Sequence, residues 1–398
     1  MRQILAISIF LLSYNLSLAQ ETLEIDTTIV PTDTIAISTD TTSLTKDTTL
    51  SILFIGDVMG HGTQINAAFD DNTGKYNYDS CFKYISPVIS QADIAIANLE
   101  VTLAGWPYKG YPQFSSPDAL AISLKNAGVD ILATANNHSL DRRKKGLERT
   151  IDMLDSLAIP HTGTFKNAEE RKKAYPMMIE KNGFKIALLN YTYATNGIPV
   201  SKPNIVNMIN KEAIAKDLKA AKAKDPDHII VFMHWGAEYQ LKPNKYEISF
   251  NQFCKDNGAD IVIGAHPHVI QKMELTHQNT YSSLTAYSLG NFVSNQRTSP
   301  RDGGAMIQIN FKKFGGESTI VDAGYYLTWV YKPLIKGARK FRVLPLSQYE
   351  DDEAFLGETA LKKMTVYKKI ARKLFDAENI NVPEYIYDSE SKAWEMEK

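Results

Sequence analysis

The chain has 398 residues, of which 44% are hydrophobic and 22% are charged, as in an ordinary soluble globular protein. Lysine and arginine nearly balance aspartate and glutamate, and the formal net charge is −1. This balance argues against a nucleic-acid-binding protein and against a protein that binds membrane surfaces through its charge.

The first 19 residues have the three parts of a signal peptide. Arg2 supplies the positive start, residues 4–12 form a short apolar run, and Ser17-Leu18-Ala19 is a small-x-small cleavage site. The run is too short to cross a bilayer comfortably, although an uncleaved anchor is the alternative. We therefore predict an exported protein, located in the periplasm, at the cell surface or outside the cell.

Residues 20–50 are rich in threonine and aspartate and poor in large apolar residues, which predicts a flexible linker. Asp-Thr pairs recur every seven residues, at positions 26, 33, 40 and 47. A coiled coil is the wrong interpretation because threonine and Pro31 disfavour helix and no apolar seam accompanies the repeat. The repeat is typical of a duplicated, unmodified spacer, and it also resembles the Asp-Ser/Thr-apolar O-glycosylation acceptors of some gram-negative bacteria.

From residue 51 onwards, apolar runs alternate with amphipathic stretches, the pattern of an α/β domain. Strands are predicted at 51–55, 93–97, 130–134, 185–190, 228–233 and 260–263, and helices at 117–127, 144–157, 211–224 and 245–257. Later strands near 284–288 and 305–311 predict a meander in the second half. We assign 51–346 to this domain, and 347–398 to a mixed-charge helix, at 359–375, and an acidic tail.

Polar side chains follow the predicted strands at the points where the strands end. An isolated Asn or Asp after a strand is usually a turn former. Ligands of open α/β sheets, however, bind beyond the carboxyl ends of the strands, so five equivalent positions predict one shared site. The residues after the first, second, third, fifth and sixth strands are, in that order, Asp57 and His61; Asn98 and Glu100; Asn136, Asn137 and His138; His234; and His266 and His268.

The side chains at these positions are typical of a metal site. Imidazole mixed with carboxylate oxygen suits zinc, manganese or iron, and the two cysteines, Cys81 and Cys254, form no metal motif. The cysteines are predicted either to pair or to remain buried free thiols. Because the candidate ligands outnumber one tetrahedral shell, we predict one or two divalent metal ions, two of which would share a carboxylate. Such a pair activates water and clamps the attacking and leaving oxygens, as phosphatases require.

Six motifs, in sequence order, carry a resemblance to a known family. They are Gly-Asp-Val-Met at 56–59, Asn-Leu-Glu at 98–100, Asn-Asn-His at 136–138, His-Trp-Gly at 234–236, Gly-Ala-His-Pro-His at 264–268 and Ser-Leu-Gly-Asn-Phe at 288–292. Residues 51–311 thereby resemble the CapA family of poly-γ-glutamate capsule synthesis proteins, in the metallophosphoesterase-like superfamily. The resemblance implies a four-layer α/β/β/α sandwich, metallophosphatase-like, with its site at one edge.

The resemblance also implies which residues hold the metals. Two departures from the superfamily pattern affect this assignment. The Asp-x-His of the superfamily is Asp57-x-x-x-His61 in this chain, which leaves open whether His61 reaches the metal. The Gly-Asp-x-x-Asp of the superfamily is replaced by Asn98-Leu99-Glu100. The ligands implied for the first metal are Asp57 and His268, those for the second are Asn137, His234 and His266, and the bridging carboxylate is Glu100.

The resemblance implies that the histidine of the Asn-Asn-His motif is catalytic. His138 would donate a proton to the leaving oxygen. Asp141, three residues on, either orients His138 or caps the helix that begins nearby.

Residues beside the motifs are predicted to bind the substrate. Asn291 lies in the Ser-Leu-Gly-Asn-Phe motif, and Arg297 and Arg301 follow in a polar loop, where they suit forked contacts with a carboxylate or phosphate. The aromatic residues of the loop after Glu100 are predicted to form a pocket wall; they are Trp106, Tyr108, Tyr111 and Phe114. Tyr191 and Tyr193 suit either a pocket wall or the core. Glu238, four residues after the His-Trp-Gly histidine, is predicted to support the ligands.

Three functions are compatible with these predictions. The resemblance implies an anionic capsular or cell-envelope polymer such as poly-γ-glutamate, or a small anionic substrate, and a capsule-synthesis membrane complex as partner. The retained histidines favour a metal-dependent hydrolase or transferase that cuts a phosphoester or amide bond. The altered bridging carboxylate keeps two alternatives open, a non-catalytic capsule assembly or export factor and a polymer-binding protein on the same fold.

We predict that Thr27, Thr34, Thr41 and Thr48 carry sugars when the native host exports the protein. A segment that cannot bury apolar side chains keeps its hydroxyls exposed, and a sugar at every seventh residue would stiffen a spacer and protect it from proteases. Intact mass spectrometry of native protein measures this. A mass equal to that of the bare chain from Gln20 onwards would exclude the modification.

Overall fold

The computed structural model describes residues 47–278 and 281–397. The predicted signal peptide lies outside these residues, and so do residues 20–46 of the predicted linker. The first strand begins at Thr48, which pairs with Lys313 of a neighbouring strand. The linker prediction is therefore wrong for residues 48–50, because Leu50 is buried in the main core and draws the preceding threonines into the sheet. The argument for glycosylation from an unfolded segment therefore does not apply to Thr48, which lies in the first strand.

The described residues form strands and helices that alternate in the first two thirds of the chain. The strands are β1 Thr48–Val58, β2 Phe69–Asp70, β3 Lys75–Tyr76, β4 Ile94–Leu99, β5 Ile131–Ala133, β6 His161–Thr162, β7 Thr164–Phe165, β8 Met177–Lys181, β9 Phe184–Thr192, β10 Ile205–Val206, β11 His228–His234, β12 Ile261–Ala265, β13 Ile270–Gln278, β14 Tyr281–Leu289, β15 Asn291–Val293, β16 Gly303–Phe314, β17 Glu317–Tyr331, β18 Leu334–Ile335, β19 Ala338–Arg339, β20 Arg342–Pro345, β21 Tyr385–Asp388 and β22 Ala393–Met396. The helices are α1 Gly62–Ala68, α2 Asp79–Phe82, α3 Ser86–Ile89, α4 Ala119–Asn126, α5 Arg143–Ser156, α6 Ala168–Ala174, α7 Lys211–Lys222, α8 Lys245–Asp256, α9 Leu346–Tyr349, α10 Glu353–Leu356 and α11 Glu358–Glu378.

Two large sheets carry the fold. The first has the order β20-β17-β16-β1-β4-β5-β6, with β15 beside β1, and its strands β1, β4, β5 and β6 are parallel. The second has the order β13-β14-β12-β11-β9-β8, and its strands β9, β11, β12 and β14 are parallel. Antiparallel strands complete both sheets, as the predicted meander of the second half required.

The two sheets pack face to face through one apolar core. Ile52 and Phe54 of β1 lie in this core together with Leu188 of β9 and Phe232 of β11. Phe54 and Phe232 meet edge to face, with ring centroids 5.6 Å apart, a favourable arrangement for an aromatic pair. This contact joins the central strand of one sheet to the central strand of the other.

Helices cover the outer face of each sheet. Because successive residues of a strand point to opposite faces, Leu53 and Ile55 of β1 turn away from the inter-sheet core and pack in a second core with Leu124 of α4. On the other sheet, Val231 of β11 packs in a third core with Leu218 of α7. Strands buried on both faces explain why the sequence shows continuous apolar runs there.

The predicted architecture is confirmed as a four-layer α/β/β/α sandwich. The six predicted strands are present as β1, β4, β5, β9, β11 and β12, and the four predicted helices as α4, α5, α7 and α8. Both cysteines, Cys81 in α2 and Cys254 in α8, are buried free thiols. In the part of the chain that the structure describes, no helix is long and apolar enough to span a membrane.

The segment after residue 346 belongs to the same compact body. The predicted helix at 359–375 is present as α11, and its Tyr367 and Phe375 are buried in the inter-sheet core. The prediction of a tail after this helix is wrong, because β21 and β22 form an antiparallel hairpin in the acidic segment. Tyr385 of this hairpin stacks on Tyr326 of β17, with ring centroids 4.4 Å apart, and this apolar contact orders the acidic segment.

We predict that Phe54→Ala lowers the free energy of unfolding by about 3–5 kcal/mol, because it leaves a cavity where the two sheets meet. The matched control is Phe314→Ala at the end of β16, whose side chain is 63% exposed and whose loss is expected to cost about 0.5 kcal/mol or less. Urea denaturation of both variants measures the difference. Equal destabilisation would show that the sheets are not joined chiefly through this core.

Candidate metal centre

The carboxyl ends of the parallel strands of both sheets meet at one edge. Asn98, at the end of β4, donates from Nδ2 to Asp57 Oδ1 in β1 at 2.8 Å. The same nitrogen lies 3.2 Å from His234 Nδ1 at the end of β11 in the other sheet. The edge at which the sequence predicted a shared site is therefore formed by both sheets together.

Asp57 is fixed at this edge from several sides. A close approach of the backbone holds β1 in place, because a Cβ at Gly56 would lie 2.2 Å from Gly290 O. His268 Nδ1 lies 3.1 Å from Asp57 Oδ2, and the backbone N–H of His266 donates to the same oxygen at 3.3 Å. The carboxylate thus faces the loop that follows β12.

Glu100, immediately after β4, is completely buried and has an unusual environment. Within the described residues, neither of its carboxylate oxygens has a hydrogen-bond partner. Its Oε1 lies 3.5 Å from His234 Nε2 and 3.8 Å from His268 Nε2. Burial, and next the negative charge of Asp57, raise the pKa of Glu100 well above its usual range. A buried carboxylate without a donor is costly, and a cation between these groups would remove that cost.

Two groups of potential ligand atoms share this carboxylate. Within each group the ligand atoms lie within 4.8 Å of one another. The Asn137 side-chain oxygen lies 2.9 Å from His234 Nε2 and adds an amide oxygen to one group. The groups are Glu100 with His234 and His266, and Asp57 with Glu100 and His268.

Two histidines of the ligand groups, His234 and His266, are suited to bind metal as neutral rings. Burial lowers the pKa of His234 and of His266 well below the usual range, and the neutral imidazole is the form that binds metal. His266 Nδ1 has no hydrogen-bond partner among the described residues. His266 and His268 have positive φ angles of 101° and 56°, a strained conformation of the kind that clusters at functional sites.

The donor set fits the divalent metals predicted from the sequence. It mixes imidazole nitrogen, carboxylate oxygen and amide oxygen without thiolate, which is suitable for zinc, manganese or iron. Glu100 belongs to both groups, so the predicted bridging position is occupied by a carboxylate that lacks other partners.

A histidine–aspartate pair stands beside these groups. His138 Nδ1 lies 2.7 Å from Asp141 Oδ2, and this oxygen also accepts the backbone N–H of Phe114 at 2.6 Å. The Phe114 ring packs edge to face against His138, with centroids 4.7 Å apart. Asp141 thus contacts His138 as predicted, while α5 begins two residues later, at Arg143.

Two asparagines that the sequence placed at the shared edge, without assigning them as ligands, hold this site together. Asn136 donates from Nδ2 to Leu99 O at 2.7 Å and lies 3.3 Å from Asn98 Oδ1. Through Asn98 this network reaches Asp57 and His234. Both asparagines occupy strand ends, so the position that pointed to the ligands also marked these residues.

The fourth predicted strand also contributes side chains to the site. After β9, the Tyr193 ring lies 4.5 Å from that of His266, between centroids, and Asn196 Oδ1 accepts from Asn137 Nδ2 at 3.2 Å. Asn196 Nδ2 lies 3.4 Å from His138 Nδ1. Burial raises the pKa of Tyr193 to about 12. The sequence indicates Tyr193 as either a pocket wall or a core residue, but it does not indicate Asn196, because the loop lacks His, Asp and Glu.

Two predicted site residues stand outside the ligand groups. Among the described residues His61 belongs to neither group, because it caps α1, where its Nδ1 lies 3.1 Å from Gln64 Oε1 and 3.3 Å from the backbone N of Asn295. Burial lowers its pKa to about 4. Trp106 is 83% exposed and lies on the loop that leads to Phe114.

The other predicted substrate residues border the site at different distances from the ligands. Asn291 donates to His268 O at 3.3 Å and to Arg301 O at 2.9 Å, which places it behind the ligands. The Arg301 guanidinium lies over the Tyr239 ring at 4.6 Å. Glu238 is exposed, and its negative charge contributes to raising the pKa of Glu100, after burial and Asp57. Arg297 points into a separate cleft.

Sequence comparison relates the chain to capsule synthesis proteins. The family model described as "Bacterial capsule synthesis protein PGA_cap" matches residues 51–296. A capsule biosynthesis protein CapA of Bacillus anthracis is 28% identical over 280 residues, which cover 67% of this chain and 65% of that protein. A PGA biosynthesis protein CapA of Bacillus subtilis is 26% identical over 331 residues, covering 81% of this chain and 78% of that protein.

Comparison with solved structures gives more distant similarities. A calcineurin-like phosphoesterase, YfkN from Bacillus subtilis, has 14% identity and a TM-score of 0.42, covering 82% of this chain and 99% of that one. A novel phosphatase from Mycoplasma pneumoniae has 16% identity and a TM-score of 0.40, covering 70% of this chain and 93% of that one.

We predict that Mn²⁺ or Zn²⁺ raises the unfolding temperature of the metal-free protein and that Glu100→Gln removes most of this increase. A ligand at about 100 times its Kd adds roughly 2.7 kcal/mol of stability. Without metal the Gln variant is expected to be at least as stable as the wild type, because no charge is buried. Glu238→Gln, which neutralises an exposed carboxylate nearby, is the control and should keep the metal effect. The same thermal shift in both variants would contradict a role for Glu100 as ligand.

Proposed function

Because the chain belongs to the bacterial capsule synthesis protein family PGA_cap, we propose that it is a metal-dependent hydrolase acting on an anionic capsular polymer. The proposed polymer is poly-γ-glutamate or a related cell-envelope material. The observation that carries the proposal is the buried carboxylate of Glu100, which has no donor and lies between two groups of metal-ligating side chains. A hydrolase would use cations held by these groups to activate water and polarise the bond to be cut.

The residues that would hold two divalent ions are those of the two groups. Asp57, Glu100 and His268 would hold the first, and Glu100 with Asn137, His234 and His266 the second. When bound, such ions activate a water molecule and polarise the bond to be cut. Asn98 holds the two groups in a fixed position relative to each other, because its amide contacts both Asp57 and His234.

His138 would move the proton that the leaving group needs. Its Nδ1 is held by Asp141, which fixes the ring and stabilises the imidazolium form. Nε2 is then the atom that gives the proton to the leaving oxygen or nitrogen. Phe114 excludes water from one side of the ring and donates its backbone N–H to Asp141.

Arg301 is the residue best placed to bind a substrate carboxylate near the ligands. Its guanidinium is held against Tyr239, whose ring centroid lies 6.2 Å from that of His268. A stacked guanidinium keeps its forked donors free for a planar anion. This supports a substrate that carries carboxylates along its length.

Export and partnership with a capsule-synthesis membrane complex complete the proposal. The support for export is the sequence pattern of residues 1–19, and the support for the partner is membership of the family. The protein would then act in the periplasm or at the cell surface, where a capsular polymer is assembled.

We predict that His138→Ala keeps its metal content and lowers the rate of hydrolysis by about 10² or more. The substrates are poly-γ-glutamate, assayed by chain length, and bis(p-nitrophenyl) phosphate, which reports phosphoester cleavage. His277→Ala removes an exposed histidine and is the control, expected to retain metal and rate. Metal content is measured by elemental analysis of each purified protein.

Other outcomes would reassign the site. Parallel loss of metal and rate in His138→Ala would make His138 a ligand. A wild-type protein that holds metal and cuts neither substrate would contradict the hydrolase and favour the assembly or polymer-binding alternatives.

A further inference from the structure

A second site lies apart from the metal ligands. It is an open cleft with a volume of about 480 Å³, between the loop after β15, the end of β17, the β18–β19 hairpin and the start of α11. Four basic side chains converge on it, and we call it the cationic cleft. They are Arg297, Lys332, Arg339 and Lys363.

The four basic side chains of the cationic cleft outnumber its two acidic ones, Asp302 and Glu358. Over residues 47–278 and 281–397, none of them has a carboxylate within 4 Å. The acidic residues of the cleft wall are engaged elsewhere. Asp302 accepts from Ser299 Oγ at 2.7 Å and from Trp329 Nε1 at 3.1 Å, and Glu358 pairs with Lys362 at 2.5 Å. Clustered like charges repel one another, so the arrangement favours an external anion.

Lys332 is the most confined of the four. Its ammonium donates to the backbone oxygen of Gln296, so it is held at the base of the cleft. Burial lowers the pKa of Lys332 to about 8, Asp302 opposes this, and the charges of Arg297 and Arg339 add to the lowering. An anion in the cleft would offset both the burial and the repulsion.

The cationic cleft is linked to the metal ligands through one loop. Gln296 accepts from Lys332 with its backbone oxygen and from Asn291 Nδ2 with its side chain, at 3.2 Å. Asn291 Nδ2 in turn donates to His268 O. The positive charge of Lys332 also lowers the pKa of His61, after burial. The cleft and the ligand groups therefore lie on two sides of residues 291–302.

The remaining walls suit the methylene groups of a polymer chain. Trp329, Tyr331 and Leu334 line the cleft between the basic side chains. The first turn of α11 also faces it, and Gly357 at the N-cap offers no side chain to satisfy the helix N–H groups. A helix N-terminus adds a partial positive charge, which reinforces the four side chains.

We propose that the cationic cleft binds successive carboxylates of an anionic polymer while another part of the same chain lies at the metal ligands. Spread charges in an open cleft suit several carboxylates in sequence better than one small ion, and the methylene groups between them would contact the apolar walls. The choice of a polycarboxylate rests on the proposed function. The cleft is a binding subsite and takes no part in the cleavage.

The test is the affinity of the metal-free full chain for a fluorescein-labelled poly-γ-glutamate oligomer, measured by fluorescence anisotropy. Without metal the oligomer is not cut, so binding is measured independently of catalysis. Arg339→Gln/Lys363→Gln is expected to weaken binding at least about tenfold, because two charged contacts are lost. The control is Lys336→Gln/Lys369→Gln, which removes two exposed charges from the same hairpin and helix without changing the cleft wall. Thermal unfolding of each variant establishes that it is folded.

Each result decides the proposal. Weaker binding in the cleft variant alone supports it, even if the wild-type protein proves unable to cut the polymer. Equal weakening in both variants overturns it, since the attraction would then be a general charge effect. Displacement of the oligomer by monomeric glutamate at the same carboxylate concentration overturns a polymer subsite. Tighter binding of inorganic polyphosphate that is lost in the cleft variant overturns the assignment to carboxylates.

Discussion

The candidate site depends on one electrostatic constraint, the burial of Glu100 without a hydrogen-bond donor. A carboxylate in this position costs free energy in the folded protein unless a cation lies beside it. The surrounding residues do not remove this cost, because His234 and His268 stand 3.5 and 3.8 Å from the same oxygen and Asp57 adds negative charge. The fold maintains this cluster through packing elsewhere, above all the apolar core between its two sheets.

The sandwich explains how residues far apart in sequence reach one point. Asp57 and His268 are separated by more than half of the chain, yet β1 and β12 end at the same edge because both sheets direct their parallel strands that way. Asn98 connects the sheets at this edge by contacting one ligand from each. Asn98 is thus the amide that connects the two sheets, and Glu100, two residues further on, is the carboxylate that both ligand groups share.

The sequence was most informative where local pattern and strand position agree. Continuous apolar runs identified the buried strands, and the polar residues that follow them identified Glu100, His234 and the other ligands. Asn196 was not predicted because its loop lacks His, Asp and Glu, although the loop follows a predicted strand. The sequence marked Tyr193 and Phe114 as pocket-wall candidates and Arg297 as a substrate residue, but their partners could not be predicted, because these come from segments without periodic pattern that meet only in the folded chain.

The charges of the site bear on the substrate it would accept. Only two carboxylates, Asp57 and Glu100, belong to the ligand groups found among the described residues, and the other ligands are neutral. Two divalent ions would bring four positive charges, whereas the two carboxylates supply two negative charges. Burial strengthens the effect of the excess positive charge, because the interior has a low dielectric constant. The remaining positive charge would attract an anion, and Arg301 and the cationic cleft carry further positive charges outside the ligand groups. An uncharged polymer would leave all of these charges unmatched, and a chain with an anionic group in every unit would match them in succession.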